Sequence, residues 1–195
     1  MQDRIFGDRE KAMEETYFRQ EDAKLLDKLR QNAKLDEIAT ALRDQLHVQN
    51  PDLLLRVRNL GITVDKAPAL FLAPLLQVAW ADGSVSKDER ETVLRLARER
   101  DVDPDSPAYA QIVEWLKVRP SVEIFDTAVE VLKAGFSVLP PAEQEERLQR
   151  VVEACNEVAM ASGGGLAQLL RLGNSVSSRE SSMLDTIART LRKRS

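Results

Sequence analysis

The chain of 195 residues has room for one ordinary domain with an extension or for two small domains. Its hydrophobic content of 43% and charged content of 31% are typical of a globular protein, and its net charge of -4 argues against nucleic-acid binding as the main activity. The single cysteine, Cys155, excludes an intrachain disulfide and a cysteine-based zinc site, which fits a reducing cytoplasm. We expect no secretory signal or transit peptide at residues 1–8, and no apolar run reaches the roughly 18 residues that a membrane span needs.

The first predicted element is a long helix within residues 1–33. More than half of its central residues are charged, and its large apolar side chains are too sparse for the wide apolar stripe of a core-facing helix. Tyr17 and Phe18, followed by Arg19, are residue types that dominate binding energy at protein interfaces. The segment is therefore predicted to be an extended interaction helix.

Two short motifs lie in this helix: Gly-x-Arg-Glu from Gly7, and Glu-x-Tyr-Phe-Arg from Glu15. With them the segment resembles the inhibitory segment of the mitochondrial ATPase inhibitor protein, a helix that enters a catalytic interface of the F-type ATPase and blocks ATP hydrolysis. The resemblance implies the catalytic subunits of an F-type ATPase as the partner. The contact residues that it implies are Glu14, Glu15, Tyr17, Phe18, Arg19 and Leu26.

Residues 34–61 are predicted to form a helical hairpin. Apolar residues recur at helical spacing in its first half, and Asn50-Pro51 supplies an N-cap and a first-turn proline for the second helix. Gly61 is a typical C-terminal stop. The hairpin is compatible with packing under the next domain and with self-association into a homo-oligomer. Residues 62–67 are predicted to be a linker.

Residues 68–195 show helical periodicity punctuated by caps and almost no strand signal, which predicts an all-α bundle. Two Ser-x-x-Glu capping boxes, Ser86 to Glu89 and Ser177 to Glu180, each begin a helix. Residues 78–89 are echoed by residues 158–163 and 174–180, with an insertion of about ten residues that holds Gly163-Gly164-Gly165. We therefore expect two similar helix–turn–helix units that face each other as a pseudo-repeat. Other helix starts are predicted at Ser106-Pro107, at Ser121 and after Pro140-Pro141.

The first unit contains the segment Ala81-Asp82-Gly83-x-Val85-Ser86-x-x-Glu89. In this segment the chain resembles the tellurite-resistance TerB-like family, and the resemblance extends over residues 68–195. It implies an all-helical bundle and an acidic turn that has been suggested to hold a metal. Ser162-Gly163 stands where the second unit would carry Asp-Gly, so we do not expect a two-sided acidic site.

The acidic turn fails as a calcium loop. With Glu89 at position 12 of an EF-hand, positions 1 and 3 fall on Val78 and Trp80, which have no side-chain oxygen. Asp82 and Glu89 are therefore expected to hold at most a weak, partly hydrated divalent cation, and a tight turn with a helix cap is the alternative. Cys155 lies on an apolar stripe and is expected to be a buried small hydrophobe.

Two functions remain, and neither is enzymatic because no nucleophile–base pair can be named. The first is inhibition of ATP hydrolysis by an F-type ATPase through insertion of the N-terminal helix. The alternative is a TerB-like stress-response module that binds a metal ion or a membrane-associated partner through Asp82 and Glu89. No nucleic-acid partner is expected, and we expect a cytoplasmic protein that reaches a membrane only through its partner.

Overall fold

The computed structural model describes residues 21–22, 24–26, 40–41, 43–44, 48–161 and 178–192. The chain divides into two compact units, Met1–Thr40 and Ala41–Ser195. The described residues of the first unit are helical. Within them, Lys24 Nζ donates a hydrogen bond of 2.9 Å to Glu21 Oε1 one helical turn away, as the spacing of these two charges predicts.

The described residues of the second unit form helices and no strand, which confirms the all-α prediction. None of the helices described is both long enough and apolar enough to cross a membrane. In chain order the elements are α1 (Pro51–Asn59), a 3₁₀ helix (Val64–Lys66), α2 (Pro68–Ala79), α3 (Lys87–Arg98), α4 (Pro107–Lys117), α5 (Val122–Ser137), α6 (Pro141–Ala161) and α7 (Ser178–Arg192).

Most of the helix starts follow from local capping chemistry. The side chains of Asn50, Ser86 and Ser106 each accept a hydrogen bond from a backbone N–H in the first turn of the helix that follows, as predicted. Ser121 occupies the N-cap position of α5, but its side chain accepts no such bond. Residues 62–67, predicted as a linker, contain the 3₁₀ helix.

Helix α2 lies at the centre of the second unit. Nine of its 12 residues are buried, and it contacts α3, α4, α5, α6 and α7. A helix that is apolar on all sides must be covered on all sides, which explains why the other helices are arranged around it. Pro74 lies inside α2, where a proline removes one intrahelical hydrogen bond, and the helix nevertheless continues to Ala79.

The predicted pseudo-repeat is matched by the pattern of burial. Val78 near the end of α2 and Val158 near the end of α6 are both fully buried. Glu89 in the first turn of α3 and Glu180 in the first turn of α7 are buried as well, at 3% and 1% exposure. Equivalent positions in the two helix pairs α2–α3 and α6–α7 therefore have equivalent environments.

Some faces differ from the sequence-based expectation. Helical spacing places Leu94 on the apolar face of α3 and Val151 and Val152 on that of α6, but all three are only half-buried. Trp115, which we did not assign to the core, is 5% exposed. Periodicity identifies the apolar face of a helix, but the neighbouring helices decide how much of that face is covered.

A truncation in α2 tests the central role of this helix. Leu76→Ala removes a fully buried side chain, so we expect the free energy of unfolding to fall by about 2–5 kcal/mol. Leu55→Ala is the matched control because Leu55 is 45% exposed on α1, and its effect should stay within about 0.5 kcal/mol. Urea denaturation of both variants measures the difference. Equal effects would show that α2 is not the centre of the core.

Candidate binding site at the acidic turn

The turn after α2 is formed by backbone hydrogen bonds and one glycine. The Gly83 N–H donates to the Trp80 carbonyl at 3.0 Å, and Gly83 has a φ of +92°. This left-handed conformation is easily adopted by glycine and strained for other residues. The predicted Asp82-Gly83 turn is therefore confirmed, and it leaves the Asp82 side chain exposed.

Helix α3 then begins with the predicted capping box. Ser86 Oγ accepts a hydrogen bond of 3.2 Å from the Glu89 N–H, and Glu89 Oε2 accepts one of 2.7 Å from the Ser86 N–H. Two backbone donors that the helix leaves unpaired are thus satisfied reciprocally. Since one oxygen of Glu89 is committed to this cap, the carboxylate already has a structural role.

Two side chains of this region donate hydrogen bonds to the C-terminal end of α4. Trp80 Nε1 donates to the Trp115 carbonyl at 2.9 Å, and Arg90 Nη2 donates to the Leu116 carbonyl at 3.0 Å. The last carbonyls of a helix lack intrahelical partners and carry its negative dipole end, so an N–H and a cation are favourable there. Sequence reasoning missed both contacts. The only available signal was the indole of Trp80, because a tryptophan N–H usually finds a partner when it is buried.

The environment of Glu89 contains two other carboxylates. Burial raises the pKa of Glu89, the hydrogen bonds with Ser86 lower it, and the negative charges of Glu180 and Asp82 raise it again. The glutamates of the two pseudo-repeat units therefore lie close enough to interact electrostatically. We call Asp82, Glu89 and Glu180 the acidic cluster.

The acidic cluster does not form a complete metal site by itself. In the part of the chain that the structure describes, no group of three or more His, Cys, Asp or Glu side chains is placed to hold a metal ion. An ion here would keep several water ligands and bind one or two carboxylates, as Mg²⁺ often does. A weak site at Asp82 and Glu89 stays a prediction.

The other predicted site residues have different outcomes. Glu14, Glu15, Tyr17, Phe18 and Arg19 lie outside the described residues. A sixth predicted contact, the side chain of Leu26, lies in a helical stretch and is 52% exposed.

Cys155 is fully buried on α6, as expected. Burial raises the pKa of its thiol to about 12. The thiolate, which is the nucleophilic form of cysteine, is therefore scarce at neutral pH. The thiol is part of the core packing.

The fold and the turn define the class of the protein: an all-α bundle of two related helix pairs, with a capped acidic turn between the helices of the first pair. The model of the family described as "Tellurite resistance protein TerB" matches residues 68–193. The chain belongs to the TerB family. No curated protein and no solved structure matches it. The family match does not include residues 1–67, and none of these comparisons supports the resemblance to the ATPase inhibitor protein.

The burial of Glu89 has a measurable consequence for stability. Because the folded chain raises the pKa of this carboxyl above its ordinary value of 4.5, the folded state holds the proton more tightly than the unfolded state. The contribution of Glu89 to the free energy of unfolding should therefore fall as the pH rises from 4.5 through the folded pKa. Glu89→Gln keeps an oxygen that can accept from Ser86 and should show a smaller fall.

Urea denaturation between pH 4 and pH 7 measures this difference between the variant and the parent protein. Glu91→Gln is the control, since Glu91 is exposed on the same helix and the variant removes a carboxylate that is not buried. Parallel profiles for Glu89→Gln and the parent would show that burial does not affect this carboxyl.

Proposed function

We propose that the protein is a non-enzymatic regulatory member of the TerB family, acting by binding. The polar groups most easily mistaken for catalytic ones have structural roles: Glu89 caps α3, and Cys155 fills the core. A folded bundle with such roles is suited to present an interaction segment or to bind a partner. The protein would then act by binding a partner and not by catalysing a reaction.

The proposed target is the F-type ATPase, reached through the N-terminal helix. Tyr17 and Phe18 would fill an apolar pocket between catalytic subunits, while Glu14, Glu15 and Arg19 would fix the register through charge pairs. Blocking one conformational step would stop ATP turnover. This proposal places the protein in the cytoplasm and brings it to the membrane only through the ATPase.

The observation that carries this target is the exposure of apolar side chains in the first unit. Leu25 and Leu26 are adjacent helical residues that are 59% and 52% exposed, beside the ion pair of Glu21 and Lys24. Large exposed hydrophobic residues on a highly charged helix are what an unbound interaction helix presents. The sequence motifs at Gly7 and Glu15 supply the identity of the target.

The test is ATP hydrolysis by a purified F-type ATPase with the full chain added. We expect inhibition, and we expect Tyr17→Ala with Phe18→Ala to weaken it by on the order of 1,000-fold, since each buried aromatic anchor contributes about 2 kcal/mol or more. The matched control is Val122→Ala with Val138→Ala. These two residues are exposed on α5 and at its end, and their loss should leave inhibition unchanged.

Equal inhibition by the parent protein and the double aromatic variant would contradict the proposed contact. If neither the parent protein nor the variants inhibit the ATPase, the target itself is wrong, and the acidic cluster becomes the leading candidate site.

The alternative is a stress-response module that binds a divalent cation or a membrane-associated partner through Asp82 and Glu89. The negative charges of Asp82 and Glu180 both act on Glu89, and negative charge attracts cations. Titration calorimetry with Ca²⁺, Mn²⁺ and Zn²⁺ tests the cation. The alternative predicts a specific heat signal that Asp82→Ala abolishes and that Asp126→Ala, an exposed aspartate on α5, retains. Identical signals from both variants would exclude the acidic turn as the cation site.

A further inference from the structure

A groove of about 790 Å³ opens between α3, α5 and α6, away from the acidic cluster. Its volume lies within the range of about 300–1,000 Å³ that is usual for small-molecule sites. Eight of its 14 lining residues are apolar and the other six are charged. The apolar side chains that line it include Phe71, Leu96, Leu132, Phe136, Leu139 and Val151.

The groove exists because two helix faces are incompletely covered. Phe71 lies on α2, whose side chains are otherwise almost all buried, and yet it is only half-buried. Phe136 and Val151 are half-buried as well. Gly135, in the last turn of α5, lines the groove without a side chain, although glycine in a helix is about 1 kcal/mol less favourable than alanine. The apolar surface here is therefore open to a ligand.

Some of the charged side chains around the groove have a partner of opposite charge, and others have none among the described residues. Glu99 and Glu157 both accept hydrogen bonds from Arg95, so one arginine serves two rim carboxylates. A third lining carboxylate, Glu153, accepts a hydrogen bond from Gln149, and the lining Arg150 donates to Glu146.

Two lining arginines differ from these. Arg100 and Arg147 also line the groove, and in the part of the chain that the structure describes neither has an acidic partner within ion-pair distance.

Arg100 uses one guanidinium nitrogen, Nη1, in a bond of 3.0 Å to the Leu96 carbonyl, which leaves its other donors available. An arginine fork matches a carboxylate and can bind it through two parallel hydrogen bonds. The groove therefore combines apolar side chains with two cations that have no acidic partner among the described residues.

We propose that this groove binds a free single-chain fatty acid. The hydrocarbon chain lies on the apolar side chains that α2, α3 and α5 contribute, beside Val151 and Ala154 of α6, and the carboxylate is bound by the guanidinium groups of Arg100 and Arg147. The groove-lining residues of α6 run from Arg147 to Glu157, a length of about 15 Å at the helical rise, so an extended acyl chain has room beside the helix. This proposal is independent of the F-type ATPase and of the acidic cluster.

The experiment is titration calorimetry of the full chain with dodecanoate below its micelle concentration. We expect saturable one-site binding. Arg100→Gln with Arg147→Gln should weaken it by about tenfold or more, because charge-assisted hydrogen bonds to the carboxylate are lost. The matched control is Arg98→Gln with Arg179→Gln, two exposed arginines that do not line the groove, which should bind within about twofold of the parent protein.

A second variant tests the apolar part of the groove without changing any charge. Gly135→Leu places a side chain into the groove in a helix that favours leucine over glycine, so circular dichroism should show an intact fold while dodecanoate binding falls at least tenfold. Dodecyltrimethylammonium, with the same chain and a cationic head, should bind at least tenfold more weakly than dodecanoate.

Any one of three results would overturn the proposal: no saturable dodecanoate binding, equal affinities of the two double arginine variants, or equal affinities for the anionic and cationic amphiphiles. The last result would indicate an unselective apolar surface of the kind that an amphipathic helix of another protein could cover.

Discussion

The arrangement of the bundle depends on the burial of α2 from all sides. Its sequence, PALFLAPLLQVA, contains no charged residue, so it provides no polar face that could point to water. Burial of apolar surface is the dominant favourable term in folding, and here it requires five helices around one. Each surrounding helix then needs only one apolar stripe. This division explains why α3, α6 and α7 can be rich in charge and still belong to the core.

The polar groups of this region lie beyond the C-terminal end of α2, with one exception inside the helix. Gln77 is its only polar side chain, and among the described residues its Oε1 is one of two buried side-chain oxygens without a hydrogen-bond partner. At the C-terminal end, the chain changes within a few residues from an apolar core to the Gly83 turn and the capped start of α3. The buried carboxylate of Glu89 is tolerated there because the Ser86 N–H donates to it.

Local chemistry made much of this fold predictable. An N-cap, a first-turn proline or a capping box acts over three or four residues, so Asn50-Pro51, Ser86 and Ser106-Pro107 identify helix starts that the structure confirms. The pseudo-repeat was also readable, since equivalent units carry equivalent residues at Glu89 and Glu180.

Contacts between distant residues were not predictable in the same way. The bond from Trp80 to the Trp115 carbonyl joins positions 35 residues apart, and only the packing of α2 against α4 brings them together. The groove was equally unpredictable, because it results from incomplete cover of Val151 and Phe136 by the helices that the structure describes. A periodic pattern reports which face is apolar, whereas it contains no information about how far the neighbouring helix extends over that face.

For charged residues, too, the sequence does not show which contacts the packing of the helices produces. Arg95 lies on α3, and Arg100 lies in the turn that follows it. The sequence around these two arginines does not predict which of them forms an ion pair. In the structure Arg95 bridges α3 to Glu157 of α6, whereas Arg100 has no acidic partner among the residues described. An exposed ion pair contributes only about 0–1 kcal/mol to stability, so Arg95 matters here mainly because it pairs with two rim carboxylates, although its single charge offsets only one of them. Among the described residues, binding an anion at Arg100 and Arg147 therefore requires no ion pair to be broken. The two guanidinium groups have to outweigh the negative charge that remains on the rim and on Glu153, which also lines the groove.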